Sequence, residues 1–167
     1  MFRTLVDFLD VWERESELTQ RILEVLTDDS LNKEITPNDR SLGRIALHIV
    51  TTIPEMMSRT GLVFENYDEN MSVPNTAKVI SKLYSEVSDF MVESIKNQWT
   101  DDTLQEEREM YGERWTICST LFGLVCHQIH HRGQLTVLMR QAGLKVPGIY
   151  GPSREEWAAF GMEAPIV

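Results

Sequence analysis

The sequence predicts an all-α protein, a four-helix bundle. Four long stretches repeat apolar residues at the three- and four-residue spacing of an amphipathic helix. No segment shows the strict apolar–polar alternation of a half-buried strand. The chain has 167 residues, 42% hydrophobic and 25% charged, the length and balance of one ordinary globular domain. A single domain over 1–167 is therefore expected. Its core is large enough to fold without a disulfide or a metal.

The first helix is expected over 2–26, with Leu5, Phe8, Leu9, Trp12, Leu18, Ile22 and Val25 inward. Asp28, Asp29 and Ser30 break the pattern, and the polar stretch 31–40, with Pro37, reads as a connection. Ser41 is placed to cap a second helix. That helix carries Leu42, Ile45, Ala46, Ile49, Ile53, Met56 and Met57 on one broad face. Pro54 should kink it, because proline removes a donor and crowds the preceding turn, and Gly61 should end it. Residues 65–73 are polar and acidic. Pro74 and Asn75 introduce a third helix over 76–98, with Val79, Leu83, Val87, Phe90 and Ile95 as its core positions. Residues 100–112 read as a charged connection with a helical turn. The fourth helix spans 116–142 and is stopped by Gly143. It is apolar almost all round at its start, which marks the most buried element. A tail with Pro147, Gly148, Gly151 and Pro152 leads to a short helical piece near 154–160.

Charge excludes some functions. Lys and Arg total 16 against 26 Asp and Glu, a net charge of −10. Such a chain repels phosphate backbones and anionic lipid, so neither nucleic acid nor membrane is an expected partner. The most apolar run, Ile117–Cys126, is shorter than the roughly 20 residues that span a bilayer. Arg3, Asp7 and Asp10 interrupt the N-terminus, so no export signal is read there, and the expected location is the cytoplasm. Cys118 and Cys126 are eight residues apart on one helix, about 12 Å at the helical rise. They cannot bond to each other and are expected as small buried apolar residues.

The chemistry concentrates in histidines. His127, His130 and His131 fall in the run H-Q-I-H-H-R-G-Q, and His48 lies on the second helix. At about 100° per residue, His127 and His131 point with Leu124, Leu135 and Leu138 into the bundle, whereas His130 points away. His48 falls just off the apolar arc of its own helix, on the side of Thr52 and Glu55. An i, i+4 pair stacks two imidazoles on one face. A third from another helix completes the tripod of an open, catalytic type of metal site. Buried histidines hydrogen-bonded to neighbours are the other reading of this spacing. The motif is not the metalloprotease H-E-x-x-H, because Gln128 stands where a general base would be needed.

The run His127-Gln-Ile-His-His-Arg-Gly-Gln134, its continuation through Leu135–Gly143 to Val146-Pro-Gly-Ile-Tyr150, and His48 within Ser41–His48 together resemble the DinB family, grouped with YfiT-like proteins. The resemblance implies a four-helix bundle with long crossover connections, up-down-down-up. It also implies one divalent metal held by His48, His127 and His131, with Zn or Ni first and Fe or Mn as further choices. His130 becomes a neighbouring or surface residue. Arg132 and Gln134 bridge helices or orient a ligand, and Gly133 permits close helix approach.

Members of known activity are thiol-dependent enzymes, so the resemblance points to a small-molecule thiol and an electrophile as partners, and to a homodimer. A divalent metal lowers the pKa of a thiol, and the thiolate is the nucleophile. The alternatives are a hydrolase that activates water and a non-catalytic metal-binding stress-response module. Glu55, two turns after His48, is the candidate base. Trp12, Trp99, Trp115 and Trp157 are read as packing residues or as parts of an interface.

Overall fold

The computed structural model describes residues 1–64, 68 and 70–166. Four helices build it: α1 (Leu5–Val25), α2 (Leu42–Ser58), α3 (Ala77–Gln98) and α4 (Ile117–Gln141). Hydroxyl caps set three of the starts. The Asp7 amide donates to Thr4 Oγ1 while the Thr4 amide donates back to the Asp7 carboxylate, a reciprocal capping box. The Arg44 amide donates to Ser41 Oγ at 3.2 Å, and the Ser119 amide to Thr116 Oγ1. α2 continues through Pro54 to Ser58, and Gly61, with φ of 101°, lies in the turn beyond. Of the polar stretch 65–73, residues 65–67 and 69 lie outside the described ones.

Cross-helix contacts fix the directions. Trp12 Nε1 donates to Ser88 Oγ, and Gln20 Nε2 to Ser81 Oγ, so α1 and α3 are antiparallel. His48 meets His127 while Met56 lies beside Gly123, so α2 and α4 are antiparallel. Cys118 Sγ donates to the Phe2 carbonyl and Arg132 to Thr19 Oγ1, so α4 runs parallel to α1. The order around the bundle is α1, α3, α2, α4. The chain therefore runs up-down-down-up, and the parallel α2–α3 pair requires the long connection 59–76.

The core is built from Phe8, Trp12 and Ile22 of α1, Ile49, Ile53 and Met57 of α2, Ile80, Tyr84 and Met91 of α3, and Leu121, Leu124 and Leu135 of α4. The α2 face expected from the sequence is buried throughout. α3 corrects the expectation. Val79 and Phe90 are 43% and 44% exposed, and Leu83 and Val87 are only partly buried. Ile95 is buried as expected, and the inner face joins it with Ile80, Tyr84, Met91, Ser81, Ser88 and Ser94. Hydropathy set the stripe partly off the buried face, because Ser81 and Ser88 are buried as hydrogen-bond acceptors for Gln20 and Trp12, and a partnered hydroxyl is tolerated inside.

Two smaller expectations are also corrected. Cys118 is buried, but Cys126 is exposed. Gly133 has open space where a side chain would go. The close approach is at Gly43, where a Cβ would stand 2.9 Å from Val73 Cγ1 and 3.0 Å from the Leu31 carbonyl oxygen.

The connection after α3 holds the expected helical turn, Asp101–Gln105, and then a hairpin that the sequence reading lacked. β1 (Glu107–Met110) pairs antiparallel with β2 (Glu113–Thr116), matching Glu107 to Thr116 and Met110 to Glu113. Tyr111 and Gly112 form the two-residue tip with φ of 55° and 85°, the positive values a tight hairpin loop demands. These strands are four residues each and mostly charged, so they carry no alternation to detect. The tail ends in a short helical turn, Trp157–Phe160. Among the described residues, no helix is long and apolar enough to cross a membrane.

Candidate metal centre

Three imidazoles meet on the α2–α4 seam. His48 comes from the middle of α2, and His127 and His131 come from successive turns of α4. His127 Nε2 lies 3.2 Å from His48 Nε2 and 3.0 Å from His131 Nε2. All three ligand atoms fall within 4.8 Å of one another. His48 and His127 are half-buried and His131 is buried. His130 is exposed, its ring edge-on to His131 at 4.8 Å.

Each imidazole is held differently. His131 Nδ1 lies 2.7 Å from Gln134 Oε1. An amide oxygen only accepts, so Nδ1 carries the proton and Nε2 keeps its lone pair. His48 Nδ1 lies 3.5 Å from Thr52 Oγ1, whose own proton goes to the His48 carbonyl at 2.7 Å. His127 Nδ1 is buried with no hydrogen-bond partner among the described residues. Burial is the main force pushing His48 down to about 4, assisted by the positive charge of Arg40 and by the other two imidazoles. Burial, then His131 and His130, brings His127 to about 4. Burial also lowers His131, against the opposing effect of its hydrogen bond to Gln134 Oε1. The cluster is thus neutral at ordinary pH.

This donor set fits a divalent transition metal. Neutral imidazole nitrogens at 3.0–3.2 Å either share a proton or turn lone pairs toward each other, and a cation among them relieves that repulsion. Three ligands also leave coordination capacity, as open sites do.

The cluster borders open space on two sides. A cavity of about 620 Å³ is walled by His48 and His127 together with Arg44, Glu55, Tyr111 and Trp115, among others. On the other side, His131 and Gln134 line a cleft of about 440 Å³ with Arg40, Ile45 and Leu138. Glu55 therefore shares the cavity with two of the histidines. Its oxygens are engaged: Arg59 Nε donates to Oε1 at 3.0 Å and the Tyr111 hydroxyl to Oε2 at 2.6 Å. Glu55 thus ties the hairpin tip over the cavity, and Arg59 lies 4.8 Å from the Tyr111 ring centroid.

The sequence reading missed Arg44, Tyr111 and Trp115 at this site. Arg44 could have been found at i−4 from His48, on the same helix face. Tyr111-Gly112 could have been read as a two-residue turn, although strands this polar offer little support for it.

The remaining motif residues are structural. Arg132 is buried and donates to the Glu15 carbonyl, Thr19 Oγ1, Glu15 Oε2 and the Tyr150 hydroxyl, tying α4 to α1 and to the tail. Gln128 Nε2 donates to the Ile49 carbonyl at 3.0 Å, tying α4 to α2. Trp12 is buried, Trp115 faces the cavity, and Trp99 and Trp157 are half-buried.

An up-down-down-up bundle with a three-histidine group on its α2–α4 seam defines a class of helical proteins with a candidate metal centre. The chain belongs to the DinB family, whose model matches residues 1–165. It is 52% identical over 165 residues to the protein YrdA of Bacillus subtilis (strain 168), covering 99% of both chains. A DinB-like protein from Bacillus cereus ATCC 10987 has a solved structure with 47% identity and a TM-score of 0.86, over 90% of this chain and all of that one. A second DinB-like structure, YjoA of Bacillus subtilis, is 20% identical with a TM-score of 0.68, over 86% of this chain and 97% of that one. It shares the fold.

Proposed function

We propose that this protein is a metal-dependent enzyme that activates a low-molecular-weight thiol and transfers its sulfur to an electrophile. One observation carries the reading: three imidazoles from two helices converge their Nε2 atoms, and two of them, His48 and His127, stand on the wall of an open cavity. His48, His127 and His131 would hold the metal, with Zn or Ni as first choices because imidazole suits both. A divalent metal held there supplies positive charge that lowers the pKa of a thiol or of water.

The chain's own residues do the rest. Gln134 and Thr52 orient two of the imidazoles through Nδ1. Trp115 and Met56 give the cavity an apolar wall for the electrophile. Glu55 is the carboxylate on that wall and is assigned the proton. In the transfer, sulfur loses its proton, bonds to carbon, and the leaving group departs with its electron pair. The open cavity supports an enzyme over a non-catalytic module, which would need no access. Exposed Phe122, Ile129 and Val137 on the outer side of α4 support a homodimer, which sedimentation at micromolar concentration tests.

Elemental analysis of gently purified protein, beside His131→Ala, tests the metal. About one equivalent in the native protein, lost in the variant, is expected. A panel of thiols and electrophiles then tests the reaction. Full turnover by the metal-free variant would sink the reading, and product formed without added thiol would favour a hydrolase.

A further inference from the structure

The metal-and-thiol reading leaves the substrate class open, and the following step rests on that reading. We propose that the cavity on the His48–His127 side takes a small thiol bearing a carboxylate, with Arg44 pairing the carboxylate while the sulfur faces the histidines.

Arg44 precedes His48 by four residues on α2, so both side chains leave the same helix face one turn apart. Both line the same cavity. Arg44 is half-buried, and its Nη1 donates to the Met71 carbonyl at 3.1 Å, which steadies the guanidinium at the cavity edge. In this acidic chain the arginines follow a pattern. Arg59, Arg108, Arg114, Arg132, Arg140 and Arg154 each sit within 4.0 Å of a carboxylate. Arg3, Arg14, Arg21 and Arg40 are exposed, where water serves a charge well. Arg44 fits neither group: it is half-buried, and no carboxylate pairs with it among the described residues. The described carboxylate on the cavity wall is Glu55, and Arg59 and Tyr111 already engage it. The guanidinium fork suits a carboxylate from a ligand.

Beyond His48 along α2 the wall carries Thr51 and Thr52, and Met56 and Trp115 line the same cavity. A short chain joining a carboxylate to a sulfur is the shape this offers. A neutral thiol would bring no carboxylate to Arg44, which has none among the described residues, so discrimination against it is built in.

The test uses whole protein loaded with cobalt(II), titrated with 3-mercaptopropionate, 2-mercaptoethanol and propionate. Near-ultraviolet absorption reports sulfur reaching cobalt, and calorimetry reports all binding. The native protein should prefer 3-mercaptopropionate over 2-mercaptoethanol by about tenfold or more. Arg44→Gln should erase that preference while leaving 2-mercaptoethanol affinity within about twofold, and Arg44→Lys should keep part of it. Equal affinities in the native protein, or a preference surviving in Arg44→Gln, overturn the inference and leave the metal reading standing. If Arg44→Gln loses cobalt as well, Arg44→Lys decides: a retained preference supports the pairing and a lost one overturns it. Failure of the native protein to hold cobalt overturns the metal reading and, with it, a thiol directed at the histidines.

Discussion

His131 and Arg132 are neighbours in sequence, yet they serve opposite seams of the bundle. Arg132 faces α1, where Glu15 answers its charge and Glu15, Thr19 and Tyr150 accept its hydrogen bonds. That seam is closed and needs nothing more. His131 faces α2, where its partners are two further imidazoles. None of them brings a negative charge, and among the described residues His127 Nδ1 has no hydrogen-bond partner. Buried polar groups are normally satisfied. A cluster satisfied from within is a structural joint, and one that turns lone pairs inward beside a cavity is a place for a cation.

Substitutions at adjacent positions break the comparison most directly. His131→Ala should eliminate metal retention and turnover while leaving the fold intact, as read by elemental analysis and circular dichroism. A variant that keeps a full equivalent of metal would contradict the tripod. Arg132→Met should do the reverse, destabilising by roughly 3–5 kcal/mol because Glu15 is left buried and unpaired. Urea denaturation measures it, and pairing the change with Glu15→Leu should recover much of the loss. A loss no larger than that of a surface substitution would remove Arg132 as a joint.

Smaller effects sharpen the picture of the open seam. Gln134→Ala should weaken metal affinity by about 10- to 100-fold, since it frees the His131 ring to rotate. Thr52→Val should do less, about threefold or under, because its contact with His48 is already at the hydrogen-bond limit. Competition with a coloured chelator ranks the two, and the opposite order would refute the assignment of the Gln134 contact as the stronger orienter.

Acid titration acts on the open seam. His48 and His127 sit at about 4 in the folded chain, against 6.5 ordinarily. Between those values the unfolded chain binds protons that the folded chain refuses. The metal-free protein should therefore gain stability as pH rises from about 4 to 6.5 and level off above. Glu155, held down to about 2 mainly by its hydrogen bond from Arg140, contributes only below its ordinary value of 4.5. Melting temperatures in chelator at pH 5 and pH 7 check this, and equal values would mean the imidazoles are not desolvated.

Much of this was legible in the sequence. Helical periodicity placed all four helices to within a few residues, since 3.6-residue repetition is a local property. Ser41 announced its cap, and the angular positions of His48, His127 and His131 marked them as facing a common seam. The sequence could not say which face of α3 is buried, because Ser81 and Ser88 turn inward only when Gln20 and Trp12 arrive from α1. Nor could it show that Arg132 meets Glu15, more than a hundred residues away, or that the tip of a charged hairpin would reach Glu55 and close one side of the cavity. The composition and the helical repeat determined a bundle with a histidine cluster. Long-range packing alone decided which polar groups find partners and which are left facing open space.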